Sequence, residues 1–330
     1  MTDAMQATRL EQATQVEQAT QVEQAPQAPA LCRRRLRTEL RLLREGAGLT
    51  GRQVAESMGW SVAKVSRMER AEGTLRDSEV RAVCELYRAP EDLTRLLAEC
   101  AVRTRAPQWW HSREYRQLLL PGADDHLGLE AAASSIVLYG PESVPELLRT
   151  EEYSAAVAAL PGSPGPLGSP HSSESPGALS AGMVQSLVAA GSRRRAVLDR
   201  PDGPPHLRVV VTEAVLYQNV GDRDILRGQL RRLAELSRRP GFELRVLPFS
   251  QAAAPALGGP FSILSFADGS SPTVVREQLT GVDLLDDEQS VSRYRAASLA
   301  LLARAPGPAA SLALITAAAD SIVRRRPKAL

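Results

Sequence analysis

Apolar and polar positions change their rhythm along the chain, and the change divides it into two parts. Between residues 33 and 104 the apolar residues recur three and four apart, the spacing of one helix face. Leu36, Leu40 and Leu43 mark a first helix from about Arg33 to Glu45, and Gly46 and Gly48 stop it. Two short helices follow over residues 51–70. A fourth starts after Asp77 or Ser78, either of which can cap it, and buries Val80, Val83, Cys84 and Tyr87. A fifth starts near Pro90 and buries Leu93, Leu96, Leu97 and Cys100. From residue 131 strand-length apolar runs appear, at 135–139, 207–212, 242–247, 261–266 and 273–277. Helical patterns lie between and after them, at about 142–160, 183–198, 222–238, 287–305 and 309–325. The pattern predicts an all-α five-helix domain over 33–104 and a mixed α/β (α+β) domain over 131–326.

Three segments fall outside this rhythm. Residues 1–32 read as a disordered low-complexity tail, in which EQATQV at 11–16 repeats at 17–22, because too little apolar surface is present to offset the entropy of ordering. Residues 105–130 read as a connector, with Trp109, Trp110 and Tyr115 between the domains. The Pro-, Gly- and Ser-rich stretch 161–182 reads as a mobile loop within the second domain.

Residues 51–70 meet a set of packing demands at fixed offsets. Two helices crossing steeply through a tight turn need a small residue where they approach, a left-handed backbone at the turn and apolar core positions around both. Counting from Gly51, Ala55 is the small fifth residue and Gly59 the ninth, while Val54, Met58, Trp60, Val65 and Met68 take the apolar positions. Thr50 and Ser61 stand where N-caps are needed. This is a helix-turn-helix. Its second helix suits the major groove of DNA, with Ser61, Val62, Lys64, Ser66, Arg67 and Arg70 off the core. Lys64 and Arg67 can reach guanine, Val62 a thymine methyl, and Arg52 and Gln53 at the start of the first helix suit phosphate. Glu69 repels phosphate and is expected to pair with an arginine of the first helix of the domain.

Charge supports this assignment locally. The whole chain carries a formal +2, but residues 32–76 hold eleven basic residues against five glutamates. The sequence thus predicts binding to double-stranded DNA, as a homodimer in which two short recognition helices read a two-fold site. A protein-docking module with a basic face is the plainer alternative, in which Arg33, Arg34 and Arg35 are a solvated helix end.

The stretch 50–70, TGRQVAESMGWSVAKVSRMER, resembles the XRE family of transcriptional regulators, relatives of phage repressors, which implies a lambda-repressor-like domain. With VPELLRTEEY at 144–153, LRRLAELSRRPGFELRVLPFS at 230–250, GGPFSILSF at 258–266 and VVREQ at 274–278, the chain resembles the actinobacterial WhiJ-like subset, whose C-terminal domain has no defined activity. The resemblance implies a small acidic partner protein that modulates DNA occupancy. This chain departs from the subset at Gly51, where Gln is frequent, at Glu146 and Arg149 of a segment usually VPGLLQT, and at Ala254, where His is common.

Other chemistry is not indicated. Gly46, Gly48 and Gly51 satisfy G-x-G-x-x-G but follow a helix, so they are not a dinucleotide loop. There is no P-loop, no G-x-S-x-G and no H-E-x-x-H, so neither cofactor, metal nor catalytic residues are expected, and the chain reads as no enzyme. His111, His126, His171 and His206 read as solvated or interface residues. Asp286, Asp287 and Glu288 read as a helix start. Cys32, Cys84 and Cys100 have no metal-ligand spacing and, with no leader or membrane-length apolar run, suit a cytoplasmic protein. A small-molecule-responsive regulator with a pocket near Glu213 or Glu277 is the alternative to partner control.

Overall fold

The computed structural model describes residues 28–160, 180–201, 203–251 and 259–324. The expected tail, apart from its last residues, nearly all of the 161–182 loop, His171 and Ala254 lie outside the described residues. The chain forms two compact units, the first made of the residues up to Gln108 together with Ala267–Ser270, the second of Trp109–Phe266 and the residues from Ser271.

The first unit is helical: α1 (Pro29–Gly46), α2 (Gly51–Met58), α3 (Val62–Glu69), α4 (Asp77–Leu86) and α5 (Glu91–Arg103). Helix α1 starts four residues earlier than its apolar period suggests. Pro29 sits in its first turn, where a fixed φ favours the helix, and Leu31 and Cys32 are buried, so 28–32 belong to the domain and not to a tail. Arg33 is buried as well, so that end of α1 is not a solvated arginine cluster. One core joins Leu36, Leu40, Val54, Ala55, Val65, Met68, Val80, Val83, Cys84, Leu97 and Cys100. Neither Asp77 nor Ser78 caps α4: Asp77 is already helical, and the Glu79 carboxylate accepts from the Arg76 N–H instead.

The second unit is built on a six-stranded sheet in the order β3-β2-β1-β4-β5-β6. Its strands are β1 (Ser135–Gly140), β2 (His206–Thr212), β3 (Phe242–Leu247), β4 (Phe261–Ser265), β5 (Thr273–Gln278) and β6 (Gly281–Leu285). β1, β2 and β3 are parallel, whereas β4, β5 and β6 run antiparallel to their neighbours. The helices are α6 (Arg113–Arg116), α7 (Ala123–Ala132), α8 (Glu151–Ala158), α9 (Ala181–Arg195), α10 (Arg223–Leu236), α11 (Glu288–Arg304) and α12 (Pro308–Arg324). Val210, Phe261, Ile263 and Val274 pack against Val291, Leu301 and Leu302 of α11. The alternate positions Ile136, Leu138, Leu264 and Val275 are buried too, so these central strands are covered on both faces.

The stretch 105–130 is not a free connector. Trp110 and Tyr115 lie inside a core of the second unit with Leu118, Leu127, Leu187 and Ala190. Helix α7 was hidden in sequence because it is buried nearly all round, including its polar residues His126 and Glu130, and shows no amphipathic stripe. Strand β6 was hidden for the opposite reason: it is a half-buried edge strand whose Asp283 interrupts the apolar run and pairs across to Arg276 at 2.6 Å.

Candidate nucleic-acid interface

The helix-turn-helix is set by its caps. Thr50 Oγ1 accepts from the Gln53 N–H at 3.3 Å and Gln53 Oε1 accepts from the Thr50 N–H at 2.9 Å, a reciprocal box that opens α2. Gly59 ends α2 with φ 64° and ψ 32°, the left-handed geometry its position required. Ser61 Oγ then accepts from the Lys64 N–H at 3.2 Å and opens α3. Val54, Ala55, Val65 and Met68 are buried, and Met58 and Trp60 are partly buried against the same core.

The residues expected at DNA stand in unequal states. Arg67 is exposed and makes no ion pair with any described residue. Val62 is exposed beside the start of α3. Ser66 is partly buried on the same helix. Arg52 pairs with Glu56 one turn on, at 3.0 Å with both side chains in water, and Arg70 pairs with Glu72 at 2.9 Å, so both are exposed cations held by weak local pairs. Gln53 and Ser61 use their oxygens as caps. Lys64 is the exception: its Nζ donates to Glu79 of α4 at 2.7 Å and lies 4.0 Å from the centre of the Trp60 ring. The Lys64 ammonium holds the Glu79 carboxyl below the ordinary glutamate range, against the upward push of its partial burial. Glu69 pairs with Arg44 of α1 at 2.5 Å, which keeps its charge off the exposed face.

The second unit carries a polar network that sequence reasoning missed. Arg194 of α9 is buried, donates from Nε and Nη2 to Glu130 at 2.6 and 2.8 Å, and donates from Nη2 to Glu277 Oε1 at 2.6 Å. His126, one turn before Glu130, faces Glu277 at 3.4 Å and is buried, contrary to the solvated reading of the histidines. Burial pushes Glu130 up, but the Arg194 charge and the bonds from His126 and Arg194 override it and hold the carboxyl at about 2. Glu277 is lowered on the same balance, burial opposing and Arg194 prevailing. A second cluster unites both unusual residues of the VPELLRT segment. Arg149 Nη1 donates to Glu146 Oε2 at 2.8 Å, and Glu146 Oε1 accepts from Arg195 at 2.8 Å and Ser154 at 3.2 Å. The one hint of this cluster in sequence was that Glu146 and Arg149 stand three residues apart with opposite charges.

The two networks border a cavity of about 340 Å³ at the carboxyl end of β1. Leu138, Ser262 and Val275 are paired across β1, β4 and β5 and share one face, and Gly140, Pro260 and Glu277 continue that row two residues on. A side chain at Gly140 would collide with Pro145, about 2.8 Å from where its Cβ would stand, so the cavity wall requires glycine there. Glu277 lines the cavity, as expected of a pocket residue. Glu213 does not line it; its carboxylate accepts from the Phe249 N–H at 2.8 Å. Asp287 caps α11 through Ser290, as a helix-opening acid should.

Among the described residues no group of His, Cys, Asp or Glu is arranged to hold a metal, and no single helix is long and apolar enough to cross a membrane. Residues 35–97 match a family described as a helix-turn-helix domain, and residues 123–317 match a domain of unknown function, DUF5753. No curated protein matches the chain. No solved structure matches it either.

Proposed function

We propose how this chain, which belongs to the DUF5753 family and is a helix-turn-helix DNA-binding transcriptional regulator, recognises DNA and is controlled. Helix α3 enters the major groove and reads an operator, and what the second unit binds sets the occupancy. The carrying observation is Arg67, an exposed cation with no ion pair to any described residue, on the outer face of a helix-turn-helix whose two helices are both N-capped. Val62 and Ser66 flank it, Arg52, Gln53 and Arg70 contact phosphate, and Lys64 joins the interface only by leaving Glu79. The resemblance to XRE regulators of the actinobacterial WhiJ-like subset supports this reading. It also supports a homodimer in the cytoplasm and control by a small acidic partner protein.

The second unit serves regulation and not catalysis. Glu130 is held ionised far below neutrality by its arginine, unlike a general acid or base, which works near the ambient pH. The cavity beside Glu277 favours a second mode of control, by a small molecule. The test is recovery of bound DNA by chromatin pull-down and sequencing, followed by affinity measurements on the recovered site. A palindromic site bound by the wild type and weakened by Arg67→Ala supports the reading; unchanged binding removes α3 from the groove. Recovery of the protein without a companion, from its native host under gentle conditions, counts against partner control.

A further inference from the structure

We infer that the cavity beside Glu277 binds a small, largely apolar molecule carrying a protonated amine. The inference rests on the small-molecule reading above and adds the chemistry of the ligand.

The cavity lies where β1 changes from a parallel neighbour, β2, to an antiparallel one, β4, at the carboxyl end of β1, the place where open α/β sheets form ligand crevices. Its volume of about 340 Å³ lies within the range of small-molecule sites, and Leu138, Val157, Val220 and Val275 give it apolar walls.

The polar groups decide the sign of the ligand. The arginines on the wall are already paired with carboxylates. Arg149 donates to the Val144 carbonyl from Nε, to Glu146 from Nη1 and to Ser143 Oγ from Nη2. Arg194 is held by Glu130 and Glu277. The uncommitted groups are acceptors. Glu277 uses only Oε1, and its Oε2 has no partner among the described residues. Glu142 lines the same wall, is exposed and has no ion pair with any described residue. Ser262, more than nine-tenths buried on the cavity floor, has a hydroxyl without a hydrogen-bond partner among the described residues. An anion would meet two carboxylates, and its only arginines are already paired with glutamates. A cationic amine would meet both carboxylates and the hydroxyl while its body fills the apolar space.

The test uses the full chain and three probes with one indole body: tryptamine, the neutral tryptophol and indole-3-acetate, measured by calorimetry. Tryptamine should bind at least about tenfold more tightly than either counterpart, the gain of a charge-assisted hydrogen bond. Glu142→Gln, on the exposed wall where folding is not at stake, should weaken tryptamine about threefold to tenfold and leave tryptophol unchanged. Ser262→Ala should weaken tryptamine as well. Failure of tryptamine to bind, tighter binding of indole-3-acetate, or indifference to both substitutions overturns the assignment. Operator affinity measured with and without tryptamine separates the layers: binding that leaves operator affinity unchanged removes the ligand-responsive reading and keeps the site.

Discussion

Lys64 and Arg67 are neighbours on the outer side of α3, yet their surroundings differ. Arg67 is solvated and unpaired among the described residues, so it approaches DNA without first breaking a bond. Arg67→Ala should cost about 1–3 kcal/mol of operator binding and relax specificity at one base pair. Arg52→Ala should weaken all sequences alike and lower the salt slope by about one. Lys64 is restrained by Glu79 and Trp60. Glu79→Gln keeps an acceptor for the Arg76 N–H but removes the charge that holds Lys64. It should raise affinity for DNA of any sequence and steepen the salt dependence, read by titration at several salt concentrations. Glu130 makes a pH prediction. Its folded pKa of about 2 lies below the ordinary value, so its stabilisation is complete above the ordinary glutamate pKa and is lost as pH falls towards 2. In a Trp60→Phe background, fluorescence reports only Trp109 and Trp110 of the second unit. Urea midpoints there should fall between pH 5 and pH 2, and Glu130→Gln should lower the midpoint at pH 7 and flatten that fall.

At the scale of elements, the helix-turn-helix is held by local backbone chemistry. Gly59→Ala puts a side chain at φ 64° and should destabilise the first unit by about 1–2 kcal/mol, and Thr50→Ala should cost about 1 kcal/mol by opening the capping box. Denaturation followed by fluorescence in a Trp109→Phe, Trp110→Phe background, where Trp60 is the one tryptophan left, measures both. Gly59 and Thr50 were legible in sequence because a turn and a cap depend on residues a few positions apart. Helix α7 and strand β6 were not legible, since one is buried on every side and the other is a short, partly polar edge. The Glu146–Arg149 pair belongs to this scale too. Arg149→Gln should destabilise less in a Glu146→Gln background than in the wild type, with a coupling of about 0.5–3 kcal/mol by double-mutant cycle.

For the whole molecule, the proposed dimer sets a geometric expectation. Two copies of α3 reading one face of a duplex need half-sites about 34 Å apart, or multiples of that spacing. Footprinting should show two protected half-sites at that period; a single protected half-site at saturating protein would remove the dimer. In the proposed control the second unit acts through its cavity, which shares Arg149, Arg194, Glu146 and Glu277 with the arginine–glutamate networks.

The sequence by itself determined the helix-turn-helix, its caps, its left-handed glycine and the alternation of strands and helices that follows. These follow from short-range rules, since a cap, a turn and an apolar period are complete within a few residues. Tertiary structure decided the rest. It tied Lys64 to a glutamate fifteen residues away, made a helix-rich part of the second unit from the supposed connector, and brought His126, Glu130, Arg194 and Glu277 into one network. It also aligned Leu138, Ser262 and Val275 beneath a cavity. Buried ion pairs and cavities are assembled from residues far apart in the chain, and no local period records which distant partner a charge will meet.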